Sequence, residues 1–476
     1  MVNSARVRYG YWHGRSRSTS EVPAMRVVTS AIGSLAVLAF GCVAPGLGAG
    51  ETWRAGFARA KITPAEPMWM AGYGSRTHPA DGKLHDLWVK AMALEDVGGQ
   101  RAVVLTSDLL GFPGGMSDAI CAELKTRHGM ERAQVMLSAS HTHCGPVLRG
   151  ALYDIYPLDD HQRALIDAYS ASLEKTVVGT IGRAISDLRP ASLAFGQGSC
   201  GFAANRRENK EGDVSGLRAA GQPTRGPSDH AVPILSVRDP GGRLLAIVFG
   251  YACHNTTLNE YSWCGDYAGF AQIGLEEKHP GAQAMFVAGC GADQNPMPRR
   301  TVELCQDHGR ELAEAVERVL GNGIEPIAPR LRTAFEFITL DFERALGRED
   351  FVGAIAKGGY EARWGRRLLA EVESGRPLAT SSRYPIQAWK LGEDRLWIAL
   401  GGEVVVDYAL KFKERFGPKT WVTGYANDVM AYIPSHRVWE EGRYEAGAFP
   451  VYGLPAQRWC PDIEERISAT VVRLSR

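Results

Sequence analysis

From residue 53 onward, short apolar runs alternate with longer amphipathic ones, and no low-complexity linker or internal repeat interrupts them. The short runs predict strands over 102–106, 134–137, 192–195, 234–237, 245–251, 284–288, 331–339, 396–400 and 420–423. The longer amphipathic segments predict helices over 116–128, 161–187, 270–278, 301–320, 349–373 and 404–416. Strand and helix alternate through most of the chain, which predicts an α/β fold: a mixed sheet flanked by helices, in one large domain running over 51–476.

The composition is that of a large globular protein, with 476 residues, 45% hydrophobic and 22% charged. The first fifty residues carry five arginines and one glutamate, and the remainder holds 49 basic against 52 acidic residues, a balance that argues against nucleic-acid binding. Arg26 precedes an uncharged stretch over 27–50 with small residues around Ala44 and Gly48-Ala49, so residues 1–50 read as a cleaved export leader, with Met25 an alternative start. The Gly, Ser, Thr and Pro content of that stretch makes it a poor membrane anchor, and Phe40 makes the segment before Cys42 a poor lipidation signal. Export leaves eight cysteines in the mature part, an even number that permits disulfides or buried thiols alike. The lack of any Cys-x-x-Cys spacing argues against a structural zinc knuckle.

Candidate chemistry gathers just after predicted strands. His141 and His143 in Ser140-His141-Thr142-His143-Cys144-Gly145-Pro146 follow one, and residues two apart in extended chain face the same side. His254 follows a second strand, Asp293-Gln294-Asn295-Pro296 a third and Glu403 a fourth. The C-terminal ends of strands are where α/β sheets collect ligands, so distant residues can meet there. A zinc site of His141, His254 and Glu403, open to water at one position, is one outcome. A satisfied buried imidazole at His254 and a helix-capping carboxylate at Glu403 are the plainer ones.

Several motifs occur in a fixed order: Gly56-Phe57-Ala58-Arg59-Ala60-Lys61-Ile62-Thr63-Pro64, Met70-Ala71-Gly72-Tyr73, Leu84-His85-Asp86, the segment 140–146, Asn205-Arg206 and Cys253-His254-Asn255-Thr256. Gly265-Asp266-Tyr267, Gly291-Ala292-Asp293-Gln294-Asn295-Pro296, Gly402-Glu403, Tyr432 and Tyr444-Glu445 complete the series. In these motifs the chain resembles the catalytic domain of the neutral/alkaline, non-lysosomal ceramidase family, exported zinc amidohydrolases that cleave the N-acyl bond of ceramide. The resemblance implies Zn2+ held by His141, His254, Glu403 and Tyr432, although Tyr432 taken alone reads as an aromatic packed before Pro434. It also implies that His143, Arg206 and Tyr444 orient the amide and stabilise charge on its oxygen, where their plainer readings are surface charge for Arg206 and core filling for Tyr444. The implied partner is a small-molecule or lipid amide, with peripheral membrane contact in the lipid case.

Two departures qualify the resemblance. Asn295 stands where the ceramidases carry a serine; an amide can donate to an oxyanion but cannot act as a nucleophile, so the reaction expected here uses water. The family's C-terminal immunoglobulin-like module is also expected to be missing, because 32 residues follow Tyr444. Both favour two alternatives: a zinc amidase or esterase for small polar substrates, and a zinc-binding member without catalysis. No Gly-x-Ser-x-Gly elbow in a strand-to-helix context, His-Glu-x-x-His helix or Walker-type loop is found.

Overall fold

The computed structural model describes residues 52–476, and the leader expected over 1–50 lies outside the described residues. Among the described residues, nine strands join in one sheet. Their order is Gln283–Ala288, Leu244–Tyr251, Ala231–Arg238, Arg189–Ser199, Trp53–Lys61, Trp88–Glu95, Arg101–Ser107 and Val135–Ala139, with Glu325–Ile327 paired to Arg189–Ser199. Only the outermost pairs, Gln283–Ala288 with Leu244–Tyr251 and Arg101–Ser107 with Val135–Ala139, run parallel, so the sheet is mixed. A second sheet orders Leu331–Asp341, Ser381–Leu391, Arg395–Leu400 and Trp421–Thr423.

Side-chain alternation sorts these strands into layers. In the main sheet Val89, Ala91, Val103, Leu105, Ile247 and Phe249 join a core shared with the helices Gly114–His128, Asp160–Ser186, Asp266–Lys278 and Val302–Gly321. Their neighbours Met92, Leu94, Val104, Ala246 and Val248 face the other way and pack with Trp389, Trp397 and Trp421 of the second sheet. The outer face of that sheet, Tyr384, Ile386, Ile398 and Leu400, packs on the helices Val406–Phe416 and Ile463–Leu474. Strands apolar on both faces are what a sheet buried on both sides requires. The order of layers is therefore helices, sheet, sheet, helices, and the described residues fall in one compact unit.

Several expectations change in detail. The helix expected over 349–373 is two, Arg348–Lys357 and Gly359–Glu373, because Gly358 at φ 78° and ψ −170° turns the chain between them. The helix expected from 404 begins at Val406, and Glu403–Val404 is instead a short strand paired in parallel with Tyr432–Ile433, so Glu403 caps no helix. All eight cysteines of the described part are free thiols, seven of them buried, which is the buried-thiol alternative. No helix among the described residues is long and apolar enough to cross a membrane.

Candidate metal centre

Three loops build the centre. Ser140 N and His141 N donate to Ser107 O and Leu109 O, and Thr142 bridges in parallel to Asn255, so the two histidine-bearing segments after Val135–Ala139 and Leu244–Tyr251 lie side by side. These strands sit far apart in the sheet order, and Glu403 follows Arg395–Leu400 of the second sheet, in the separate two-stranded ribbon with Tyr432–Ile433. The centre thus forms where loops of both sheets meet rather than along one row of parallel strand ends. His141 holds φ at 62°, a left-handed conformation that costs a non-glycine residue roughly 1–3 kcal/mol and is a mark of functional sites.

His141, His143 and His254 are buried, and each offers a ring nitrogen within 4.8 Å of the others. His141 Nδ1 donates to Leu110 O and His254 Nδ1 to Gly291 O, both at 2.7 Å. A carbonyl only accepts, so each Nδ1 carries a proton, and in the neutral ring each Nε2 presents a lone pair. Those lone pairs meet Glu403 Oε2 at 3.2 and 3.0 Å. Burial, with Arg206 adding, pushes His254 down to about 4, so its ring is neutral at neutral pH. Neither His254 Nε2 nor Glu403 Oε2 has a hydrogen-bond partner. Two nitrogen lone pairs and a carboxylate oxygen facing one another in the interior repel unless a cation lies among them. The donor set therefore fits a metal ion, in an arrangement where each histidine's second nitrogen is tied to a carbonyl.

His143 differs. Its Nε2 lies 3.3 Å from His141 Nε2, its Nδ1 has no partner, and its ring meets Tyr73 edge-on at 4.6 Å. Burial, with His141 and His254 adding, pushes it well below its ordinary value. The ring rests on Gly72, where φ is 106° and a Cβ would lie 2.4 Å from the imidazole, which explains the glycine in Met70-Ala71-Gly72-Tyr73. Gly402 at φ 72° is likewise pressed on Ala431 O, a Cβ there falling 2.7 Å away, so the glycine before Glu403 is also required. Gly72→Ala should therefore shift His143 without touching His141, lowering kcat/KM on the order of 10²-fold with bound metal unchanged. Steady-state kinetics and metal analysis of the variant check this, and full activity would show that the His143 position is not critical.

Tyr432 is the register partner of Glu403, and its hydroxyl accepts from Arg206 Nη2 at 3.3 Å. Arg206 Nε donates to Glu445 Oε1 at 2.8 Å, and its guanidinium carbon lies 5.7 and 5.6 Å from the rings of Tyr432 and Tyr444. Burial would lower the Arg206 pKa, but Tyr432 and Glu445 outweigh it and hold the guanidinium charged. Arg207 binds the other oxygen of Glu445 at 2.5 Å and Glu441 at 2.7 Å. Neither arginine is surface charge. Tyr444, 50% exposed, stands at the rim beside Tyr432 rather than filling a core.

Asp293, Gln294 and Asp266 brace the loops that carry the centre. Asp293, pushed up to about 6 by burial, accepts from Val406 N and Asn205 Nδ2, and its carbonyl accepts from Arg206 N. Gln294 O accepts from His254 N. Asp266 accepts from Thr257 N, Leu258 N and Tyr267 N, pinning the loop that follows His254. Asn295 is buried in the short strand Gln294–Pro296 with its Oδ1 unpartnered, and no hydrogen bond among the described residues joins it to the histidines. The sequence reading missed Tyr452, whose hydroxyl donates to Glu403 Oε1; the Tyr444-Glu445 motif was a signal for Glu445, and nothing marked Tyr452.

The fold and the cluster define a layered mixed α/β protein with a buried His/His/carboxylate group that could hold a metal ion. The chain belongs to the neutral/alkaline non-lysosomal ceramidase family, whose N-terminal region matches residues 53–315. It is 25% identical to the neutral ceramidase of Pseudomonas aeruginosa over 334 residues, 63% of this chain. The match spans 46% of that protein, a little under half its length. The crystal structure of neutral ceramidase from Pseudomonas aeruginosa superposes with a TM-score of 0.67 at 20% identity, covering 89% of this chain and 74% of that one. A ceramidase complexed with C2 gives 0.67 at 18%, covering 89% and 75%. At these identities the superpositions establish the shared fold.

Proposed function

We propose that this chain is a zinc-dependent hydrolase of an N-acyl amide, ceramide or a related lipid amide. The observation that carries the proposal is the convergence of His141 Nε2 and His254 Nε2 on Glu403 Oε2, at 3.2 and 3.0 Å, while both Nδ1 atoms are tied to backbone carbonyls. His141, His254 and Glu403 would hold the metal, with Tyr432 beside them as a fourth donor. His143 is assigned to proton transfer instead, because its Nδ1 lacks the carbonyl anchor that both proposed ligands have. A zinc ion bound there lowers the pKa of water from about 15.7 towards about 7 and polarises a carbonyl.

The chain's own groups supply the rest. His143, a buried ring whose Nε2 faces the centre 3.3 Å from His141 Nε2, accepts the proton of the attacking water and returns it to the leaving amine. Arg206, fixed by Glu445, and Tyr444 at the rim direct N–H and O–H donors at the oxygen that gains charge in the tetrahedral state. Asn295 takes no nucleophilic role. The uncharged stretch 27–50 behind Arg26 supports export with the leader removed, and residues 51–476 then act as one catalytic domain in peripheral contact with the lipid phase.

Zinc analysis, with hydrolysis of a fluorogenic ceramide and of a short-chain amide before and after chelation, tests this reading. Ceramide cleavage lost to the chelator and restored by zinc is the expected result. Bound zinc with only short amides or esters cleaved favours the small-substrate reading, which Asn295 in the place of serine supports. Bound zinc without turnover on either favours a non-catalytic member, and full activity without metal removes the proposal.

A further inference from the structure

Glu403 presents one oxygen to His141 and His254, and the other faces away from them. That second oxygen, Oε1, accepts from the hydroxyl of Tyr452. Both histidines spend their ring N–H on backbone carbonyls, so Tyr452 supplies the one N–H or O–H hydrogen bond to this buried carboxylate among the described residues. A carboxylate with a free oxygen can rotate about its last torsion or swing a lone pair elsewhere; one anchored through Oε1 keeps Oε2 aimed at the two nitrogens.

The anchor is itself braced. Tyr452 ends the short helix Phe449–Tyr452, and the chain then turns through Gly453 at φ 75°. Gly453 O accepts from Arg367 Nη2 at 2.7 Å and Leu454 O from Trp364 Nε1 at 3.0 Å, both from the helix Gly359–Glu373. Arg367 is held in turn by Asp154, with contacts of 2.9 and 2.6 Å to its Oδ2. Tyr452 also lines a cavity of about 620 Å³ together with Arg149, Arg383, Asp428 and Leu454.

We propose that Tyr452 is the positioning residue of the metal centre, fixing Glu403 in its metal-binding orientation through Oε1. This rests on the zinc reading above. It makes the helix Gly359–Glu373 part of the site's support, since the turn after Tyr452 is tied to that helix.

The test is the zinc affinity of Tyr452→Phe, measured by competition with a chromophoric chelator, with the visible absorption of the cobalt-substituted protein as a spectroscopic readout. The expected result is zinc affinity lower by about 10- to 100-fold and altered cobalt bands, with the far-ultraviolet circular dichroism unchanged. Tyr384→Phe is the control, because it deletes a buried hydroxyl that has no partner, and it should leave affinity unchanged. If Tyr452→Phe does not fold, Tyr452→Leu, which likewise removes the donor to Glu403 Oε1, is read against the same thresholds. Affinity within about threefold of the parent, with the same cobalt bands, overturns the assignment. A parent chain that binds no zinc would overturn the zinc reading itself, and the two failures are thereby distinct.

Discussion

Replacing His141 and His254 together with alanine should empty the metal centre and lower kcat/KM by roughly a thousandfold or more, about 4 kcal/mol of transition-state stabilisation. Two of the three converging donors disappear, and Glu403 with Tyr432 cannot hold a zinc ion alone. Metal analysis and steady-state kinetics read this directly, and wild-type turnover in the double variant would remove the metal-hydrolase reading. The parallel variant His143→Ala separates the two overlapping donor sets. It should retain zinc and lose turnover, because that ring has no carbonyl anchor on its second nitrogen. Loss of zinc in His143→Ala would instead make the three-histidine group the ligand set. The metal-free double variant should melt no lower than the metal-free parent by more than its lost packing, since the mutual repulsion at Glu403 Oε2 goes with the imidazoles.

The readability of this fold followed burial on both faces. Val135–Ala139, Leu244–Tyr251 and Gln283–Ala288 are buried at every position, and uninterrupted apolar runs announce such strands. Trp53–Lys61 and Trp88–Glu95 escaped because charged residues break the pattern. Lys90 is inside, where its ammonium meets Glu276 at 2.6 Å and Ala284 O at 2.8 Å, and partners nearly two hundred residues away leave no local mark. Ser381–Leu391 escaped similarly, with Arg383 and Pro385 interrupting a strand that packs on both faces. The break at Gly358 was legible in the Gly358-Gly359 pair, but the amphipathic period on either side masked it.

The centre was readable for the same reason that its loops are short. His141 and His254 stand within a few residues of buried strand ends, so their convergence could be expected before their neighbours were known. The lock around Arg206 could not. Glu445 lies 239 residues away, and Arg207, which shares that carboxylate, looks like one charge in a polar run. Motif carboxylates, Asp266 and Asp293 among them, accept from backbone N–H groups and hold the loops in place. A short motif marks residues that a fold requires, and geometry alone divides reactive groups from braces.

Arg206→Lys should lower kcat/KM by about 10²–10³-fold, or about 2.7–4 kcal/mol, while zinc stays bound. The guanidinium reaches two partners at once, Glu445 through Nε and the Tyr432 hydroxyl through Nη2, and remains beside Tyr444. An ammonium is a point charge on a flexible stem, so it can neutralise Glu445 or approach the substrate oxygen, but it cannot do both in a fixed plane. Lysine is the informative replacement because it keeps a positive charge near Glu445, whose second oxygen Arg207 still binds at 2.5 Å. Arg206→Ala, by contrast, leaves part of a buried carboxylate uncompensated and mixes a folding cost with the catalytic one. The loss in Arg206→Lys should fall mainly on kcat, since a group that meets charge developing on the substrate oxygen acts in the transition state more than in the bound substrate. More than half of the parent kcat in Arg206→Lys, with zinc at full occupancy, would show that positive charge alone suffices and would end the case for a geometrically fixed guanidinium at the oxyanion.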